Sequence, residues 1–158
     1  CIRDSIKTFE PGENVHKKGI LVTTTLPSST SEVLKNDAVT IARKIVANLD
    51  YIGVMGVEFF LKENELYVNE IAPRVHNSGH WTMDGSYSSQ FQQHIRAIMD
   101  LPLLSTERHS DIIMYNLIGK VTSNLANNEL AKFYLYGKKE IRPGRKMGHI
   151  NLIKKKGG

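Results

Sequence analysis

Residues 69 to 81 read NEIAPRVHNSGHW, which gathers a carboxylate, a guanidinium, two imidazoles, two amides and a Trp just where an apolar, strand-like run ends. VMGVEFFL and LYVNEIA, split by the polar KENE, predict a β-hairpin that carries Glu58 in one arm and Glu70 in the other. If the tight turn centres on Asn64, the two glutamates oppose each other on one side; a turn centred half a residue away breaks that pairing. Two like charges about 4 Å apart repel by roughly 1 kcal/mol in water and roughly 4 kcal/mol at an effective dielectric of about 20. With Phe60 and Val68 as neighbours, water screens them poorly. Such a pair calls for a cation, and oxygen ligands alone suit magnesium, which binds through one or two carboxylates plus substrate phosphates. Two solvated glutamates on an exposed hairpin are the bland alternative.

The flanking residues extend that chemistry. Asn69 points away from Glu70 in a regular strand, unless the strand end twists enough to bring both to one ligand; it otherwise caps its own turn. Arg74 follows Pro73, which holds Ala72 extended, and offers a fork for carboxylate, bicarbonate or phosphate, or a salt bridge to Glu58 or Glu70. His76 and His80 sit at a zinc-ligand spacing, but in a loop rather than on a helix; anchoring a small anionic substrate suits them better, and a hydrogen-bonded structural histidine is the default. Asn77, Ser78 and Gly79 form a turn able to present N–H groups to an anion. Lys138, Lys139, Arg142, Arg145 and Lys146 surround a Pro-Gly turn that is either a phosphate seat or a basic solvated turn. His16, by itself, could cap, pack or touch a ligand.

The elements that must position these groups follow from periodicity. Strands are expected over residues 2–9 and 19–25, joined by a turn-rich EPGENVHKK. Ser29 with Glu32 makes a capping box, and Val33, Ala38, Ile41, Ala42, Ile45, Val46 and Leu49 mark a helix over about 31–49. An irregular loop, HNSGHWTMDGS, precedes a second helix with Phe91, Ile95, Ile98 and Met99 on one side, stopped by Pro102. Trp81 and Phe91 are expected in the core. DIIMYNLIG, KFYLYG and HINLI then read as strands. The fold expected is α/β in the α+β sense, a mixed or antiparallel sheet with flanking helices followed by a small β unit. The boundary near 104 to 110 divides a first unit, 1–104, from a second, 105–158.

The totals bound the rest. At 158 residues one domain is the default. No apolar run nears the ~20 residues of a membrane span, so no membrane partner is expected. One cysteine, Cys1, excludes an internal disulfide and fits a reducing compartment; we expect a cytoplasmic protein. The net charge of +5 is modest, scattered and partly due to the KKKGG tail; it suits anionic small molecules, and no nucleic-acid partner is expected. The chain opens on Cys rather than Met, which we read as a fragment.

GVMGVEFFL, ELYVNEIAPRVHNSGHW, SQFQQHIRAIMDLPL, MYNLIG and RPGRKMGHINL, in that order and spacing, resemble the 5-(carboxyamino)imidazole ribonucleotide synthases, ATP-grasp enzymes of bacterial and fungal purine synthesis. The resemblance runs almost end to end. It implies the distal half of an ATP-grasp domain plus a small C-terminal β domain. The activity implied is ATP- and bicarbonate-dependent carboxylation of aminoimidazole ribonucleotide through carboxyphosphate. It also implies that Glu58 and Glu70 bind Mg2+ under the ATP phosphates, and that His16, Asn69 and Glu70 contact the nucleotide. Arg74, His76 and Asn77 would lie around bicarbonate and the imidazole. Lys138 (or Lys139) and Arg145 would grip the ribonucleotide phosphate. A homodimer is expected of the intact enzyme. The family's enzymes are over twice this length, so the chain is expected to be inactive alone. A formate-using ATP-grasp ligase and a non-catalytic structural or dimerisation fragment are the alternatives.

Overall fold

The computed structural model of the protein describes residues 5–120 and 124–154. Cys1, the start of the strand expected over 2–9 and the last residues of the basic tail lie outside the described residues. Residues 5–12 have no regular structure, and β1 (Glu13–Lys17) occupies the stretch expected as a turn. The reason is local. Lys18 and Gly19 both take positive φ, 50° and 72°, the two-residue geometry whose twist matches a hairpin, and this pairs β1 with β2 (Ile20–Leu26).

Helix α1 (Glu32–Asn48) starts at Ser31, whose Oγ accepts the Leu34 N–H at 3.4 Å. The capping box expected at Ser29 does not form, because Ser29 donates both its N–H and its hydroxyl to the Glu13 carboxylate. Of the apolar stripe, Ala38 is buried and Ile41, Ala42, Ile45 and Val46 are half-buried, while Val33 and Leu49 at the ends are exposed.

The predicted hairpin is β3 (Gly56–Lys62) and β4 (Glu65–Ala72), a separate two-stranded sheet. The loop expected after it carries a 3-10 turn (Asn77–Gly79) and the short α2 (Thr82–Gly85). Helix α3 (Gln90–Ile98) reverses the expected facing: Phe91, Ile95, Ile98 and Met99 are all exposed, and Gln90 and Gln93 are the buried residues. Hydrogen bonding decides this. Gln93 Nε2 donates to Ser88 Oγ and Leu104 O, and its Oε1 accepts from Leu104 N. Buried amides must be paired, and Ser88 and Leu104 supply the partners on the inner side.

Strands β5 (Asp111–Ile118), β6 (Ala131–Leu135) and β7 (Lys146–Lys154) complete a five-stranded sheet in the order β1-β2-β5-β7-β6. Every pairing is antiparallel, an α+β arrangement, and the sheet takes strands from both sides of residue 104. Leu21, Leu26, Trp81, Ile112 and Met114 form the core, with Phe9 and Ile153 packed on it; each such side chain contributes about 1.5–3 kcal/mol on burial. No helix among the described residues is long and apolar enough to cross a membrane.

Candidate functional site

The β3–β4 turn is Glu63-Asn64, both at positive φ (49° and 67°), so it centres between these two residues and not on Asn64. From Lys62↔Glu65 to Phe59↔Val68 the register follows that turn, which alone would set Glu58 opposite Asn69. A bulge intervenes: Asn69 is left without a ladder partner, and Glu58 pairs with Glu70. The opposed carboxylates thus arise from a turn and a bulge acting together. Bulges re-aim side chains and recur beside active sites. Two further register shifts lie between Val15 and His16 and between Leu117 and Ile118, the latter paired with Lys146. All three irregularities adjoin groups that face this site.

His76 lies between the two acids. Its Nδ1 is 3.7 Å from Glu58 Oε1 and its Nε2 is 3.9 Å from Glu70 Oε1, while His16 Nε2 approaches Glu58 Oε2 at 3.9 Å. The Glu58 side chain is 10% exposed and that of Glu70 52%. Burial pulls the His76 imidazole below the usual histidine range, and Glu58 and Glu70 oppose that pull. Gly56 makes the close approach possible: a Cβ there would lie 2.8 Å from the His76 Cβ. His16, Glu58, Asn69 and His76 line one cleft of about 900 Å³.

Arg74 donates to Val75 O at 3.0 Å and enters no ion pair among the described residues, so the salt bridge weighed for it does not form. Asn77 is half-buried, and its Nδ2 is enclosed without a hydrogen-bond partner among the described residues. His80 does not join His76 as a metal ligand. Its Nδ1 faces Gln90 Nε2 at 3.0 Å, and its ring stacks on His149 and Phe91.

The basic turn approaches from β7. Pro143, followed by Gly144 at φ 76°, makes a type II turn closed by Arg145 N donating to Arg142 O at 3.1 Å. Lys138 Nζ donates to Lys146 O at 2.7 Å and stands 5.6 Å over the Tyr136 ring, whereas Lys139 is exposed. Arg142 pairs with Glu140; Arg145 donates to Glu140 O at 3.2 Å and is in no ion pair among the described residues. Burial lowers the Lys146 ammonium, and Glu58 and Glu70 raise it while Arg74 and Lys138 lower it. Lys146 therefore links the basic turn electrically to the acid pair. In the sequence Lys146 is one of five cations around the turn and nothing singles it out, because the register that aims it is set by a bulge. Gln90, as a polar residue on an amphipathic helix, gave no signal at all.

Two domain families match the chain: the ATP-grasp domain over residues 2–91 and the phosphoribosylaminoimidazole carboxylase C-terminal domain over residues 113–157. An N5-carboxyaminoimidazole ribonucleotide synthase of Brucella melitensis is 52% identical over 95% of this chain, which covers 42% of that protein. A carboxyaminoimidazole ribonucleotide synthase from Aspergillus clavatus complexed with ATP superposes with a TM-score of 0.91 at 37% identity, covering 97% of this chain and 43% of the other. The Aspergillus clavatus synthase in complex with ADP and 5-aminoimidazole ribonucleotide gives a TM-score of 0.91 at 37% identity, over 98% of this chain and 44% of the other. The chain thus spans about two-fifths of the length of the relatives it matches. With an ATP-grasp domain matched over more than half of its residues, and with the antiparallel fold and acid-bearing hairpin just described, the chain belongs to the ATP-grasp family.

Proposed function

We propose that this chain carries the metal-, bicarbonate- and ribonucleotide-binding part of an ATP-dependent carbon–nitrogen ligase that converts aminoimidazole ribonucleotide to its N-carboxy form. The observation that supports it most is the opposed Glu58–Glu70 pair with His76 between them. The donor set fits Mg2+: two hard carboxylates, one sheltered in the cleft and one exposed. Among the described residues no group of three or more His, Cys, Asp or Glu forms a cage. Phosphate and water oxygens would complete the sphere, as magnesium prefers. When bound, the ion would neutralise charge on the transferring phosphoryl group.

The chain's own groups take the remaining roles. His16 and Asn69, on the cleft wall, contact the nucleotide along with Glu70. Arg74, with no acidic partner among the described residues, and Asn77, with its buried N–H unpaired among them, hold bicarbonate as it attacks the γ-phosphorus of ATP and expels ADP, and then hold the carboxyphosphate so formed, which breaks down to carbon dioxide and inorganic phosphate. His76 shares that position. Lys138 and Arg145 hold the phosphate of the ribonucleotide, whose exocyclic amine then captures the carbon dioxide released. Fixed donors and cations of this kind act by orientation and by stabilising developing charge. Residues 1–104 belong in this reading to the ATP-grasp part and 105–158 to the β-rich unit, with strands of both sharing one sheet.

The test is phosphate release by a protein of the relatives' full length that contains these residues, with bicarbonate and ribonucleotide added and withheld in turn. Release that requires Mg2+ and bicarbonate supports the proposal. Release driven by formate points to the other ligase, and no release with no nucleotide binding points to a structural fragment.

A further inference from the structure

Gln90 is 2% exposed and spends all of its amide on one loop. Its Oε1 accepts the His76 backbone N–H at 2.8 Å. Its Nε2 donates to the His76 carbonyl at 2.7 Å and faces His80 Nδ1 at 3.0 Å. The His76 N–H, a donor only, fixes which end of the amide is oxygen, so Nε2 is the donor to His80 and His80 Nδ1 must accept. The backbone of Gln90 joins in: its N–H donates to Thr82 Oγ1 at 2.9 Å, and Thr82 donates on to Gly79 O at 2.6 Å. Gly79 leaves the room, since a Cβ there would lie 2.5 Å from Gln90 Oε1. Both main-chain groups of His76 are thus clamped by one side chain, as a neighbouring strand would clamp them. The ring is held separately by Ser78 Oγ, 2.8 Å from Nδ1.

We infer that Gln90 is a positioning residue that fixes His76 between Glu58 and Glu70. The catalytic consequence rests on the reading that places His76 beside the reacting bicarbonate; the clamp itself does not. Gln93 supplies a matched control. It is 4% exposed and sits on the same helix, and among the described residues its side-chain amide makes three hydrogen bonds, all to Ser88 and Leu104.

The experiment compares Gln90→Met, Gln90→Glu and Gln93→Met by ring ¹⁵N NMR of this chain at one alkaline pH, and by turnover at the relatives' full length. Wild type should show His80 in the single tautomer with its proton on Nε2 and one sharp His76 ring signal. Gln90→Met should move His80 toward a tautomer mixture and shift or broaden His76, whereas Gln93→Met should leave both in place. Gln90→Glu keeps the acceptor and loses the donors, and reports on His80 if the Met variant fails to fold. A displaced imidazole should lower kcat on the order of a hundredfold, with the KM for ATP within about twofold. Wild-type His76 and His80 signals in both Gln90 variants, or equal changes in Gln93→Met, would overturn the inference. Signals that move as expected in a protein whose wild type ignores bicarbonate would sink the proposed function and leave the clamp standing.

Discussion

Acidification from pH 7 to pH 5.5 should weaken the fold through two stacked imidazoles. The rings of Tyr134, His149, His80 and Phe91 form a ladder, with centroid spacings of 4.7, 4.5 and 5.6 Å. Burial pushes His149 down to about 4. Burial, with His149 and His76 as like charges, pushes His80 down to about 3. Both folded values lie below the unfolded value of about 6.5, so between these limits the unfolded chain binds more protons and stability falls as pH falls. At pH 5.5 each ring is almost fully charged unfolded and neutral folded, which costs about 1.2 kcal/mol per ring relative to pH 7. Screening at the half-buried His80 reduces the joint effect to about 2 kcal/mol. A urea midpoint should therefore drop by about 1 M for a slope near 2 kcal/mol per M. His149→Phe keeps a flat ring in the stack and should halve the drop. An unchanged wild-type midpoint, or a drop in His149→Phe equal to that of wild type, would refute the reasoning.

Two other substitutions probe separate parts of the structure. A Cβ at Gly148 would lie 2.3 Å from Tyr134 O and 3.2 Å from the Leu135 Cα, both main chain; Gly148→Ala should thus destabilise by about 1–3 kcal/mol or more, and a wild-type urea midpoint would contradict this. Arg145→Ala should weaken ribonucleotide binding about tenfold and leave magnesium affinity unchanged in paired calorimetric titrations; unchanged ribonucleotide affinity removes Arg145 from the site.

The sequence was most legible where one local signal sufficed. The helix over Glu32–Asn48, the β3–β4 hairpin and the buried Trp81 follow from periodicity and turn chemistry. It was least legible where two elements had to be counted together. The Glu58–Glu70 pairing was expected from a turn centred on Asn64; the pairing occurs, but through a turn centred elsewhere and a bulge at Asn69. A bulge leaves no periodic mark, so neither Asn69's release from the ladder nor Lys146's approach could be read. The facing of α3 failed for a different reason. Within this chain two glutamine amides with carbonyl partners take the inner side, a hydrogen-bonding preference that an apolar period does not report.

A divalent ion seated across the β3–β4 pairing is central to the proposed chemistry, and Mn2+ as a paramagnetic stand-in for Mg2+ tests this on the chain itself. Amide resonances recorded during a Mn2+ titration should broaden first at Glu58, Glu70 and His76, and Glu58→Gln or Glu70→Gln should abolish that broadening. Broadening centred elsewhere, or unaltered in both variants, would contradict the account.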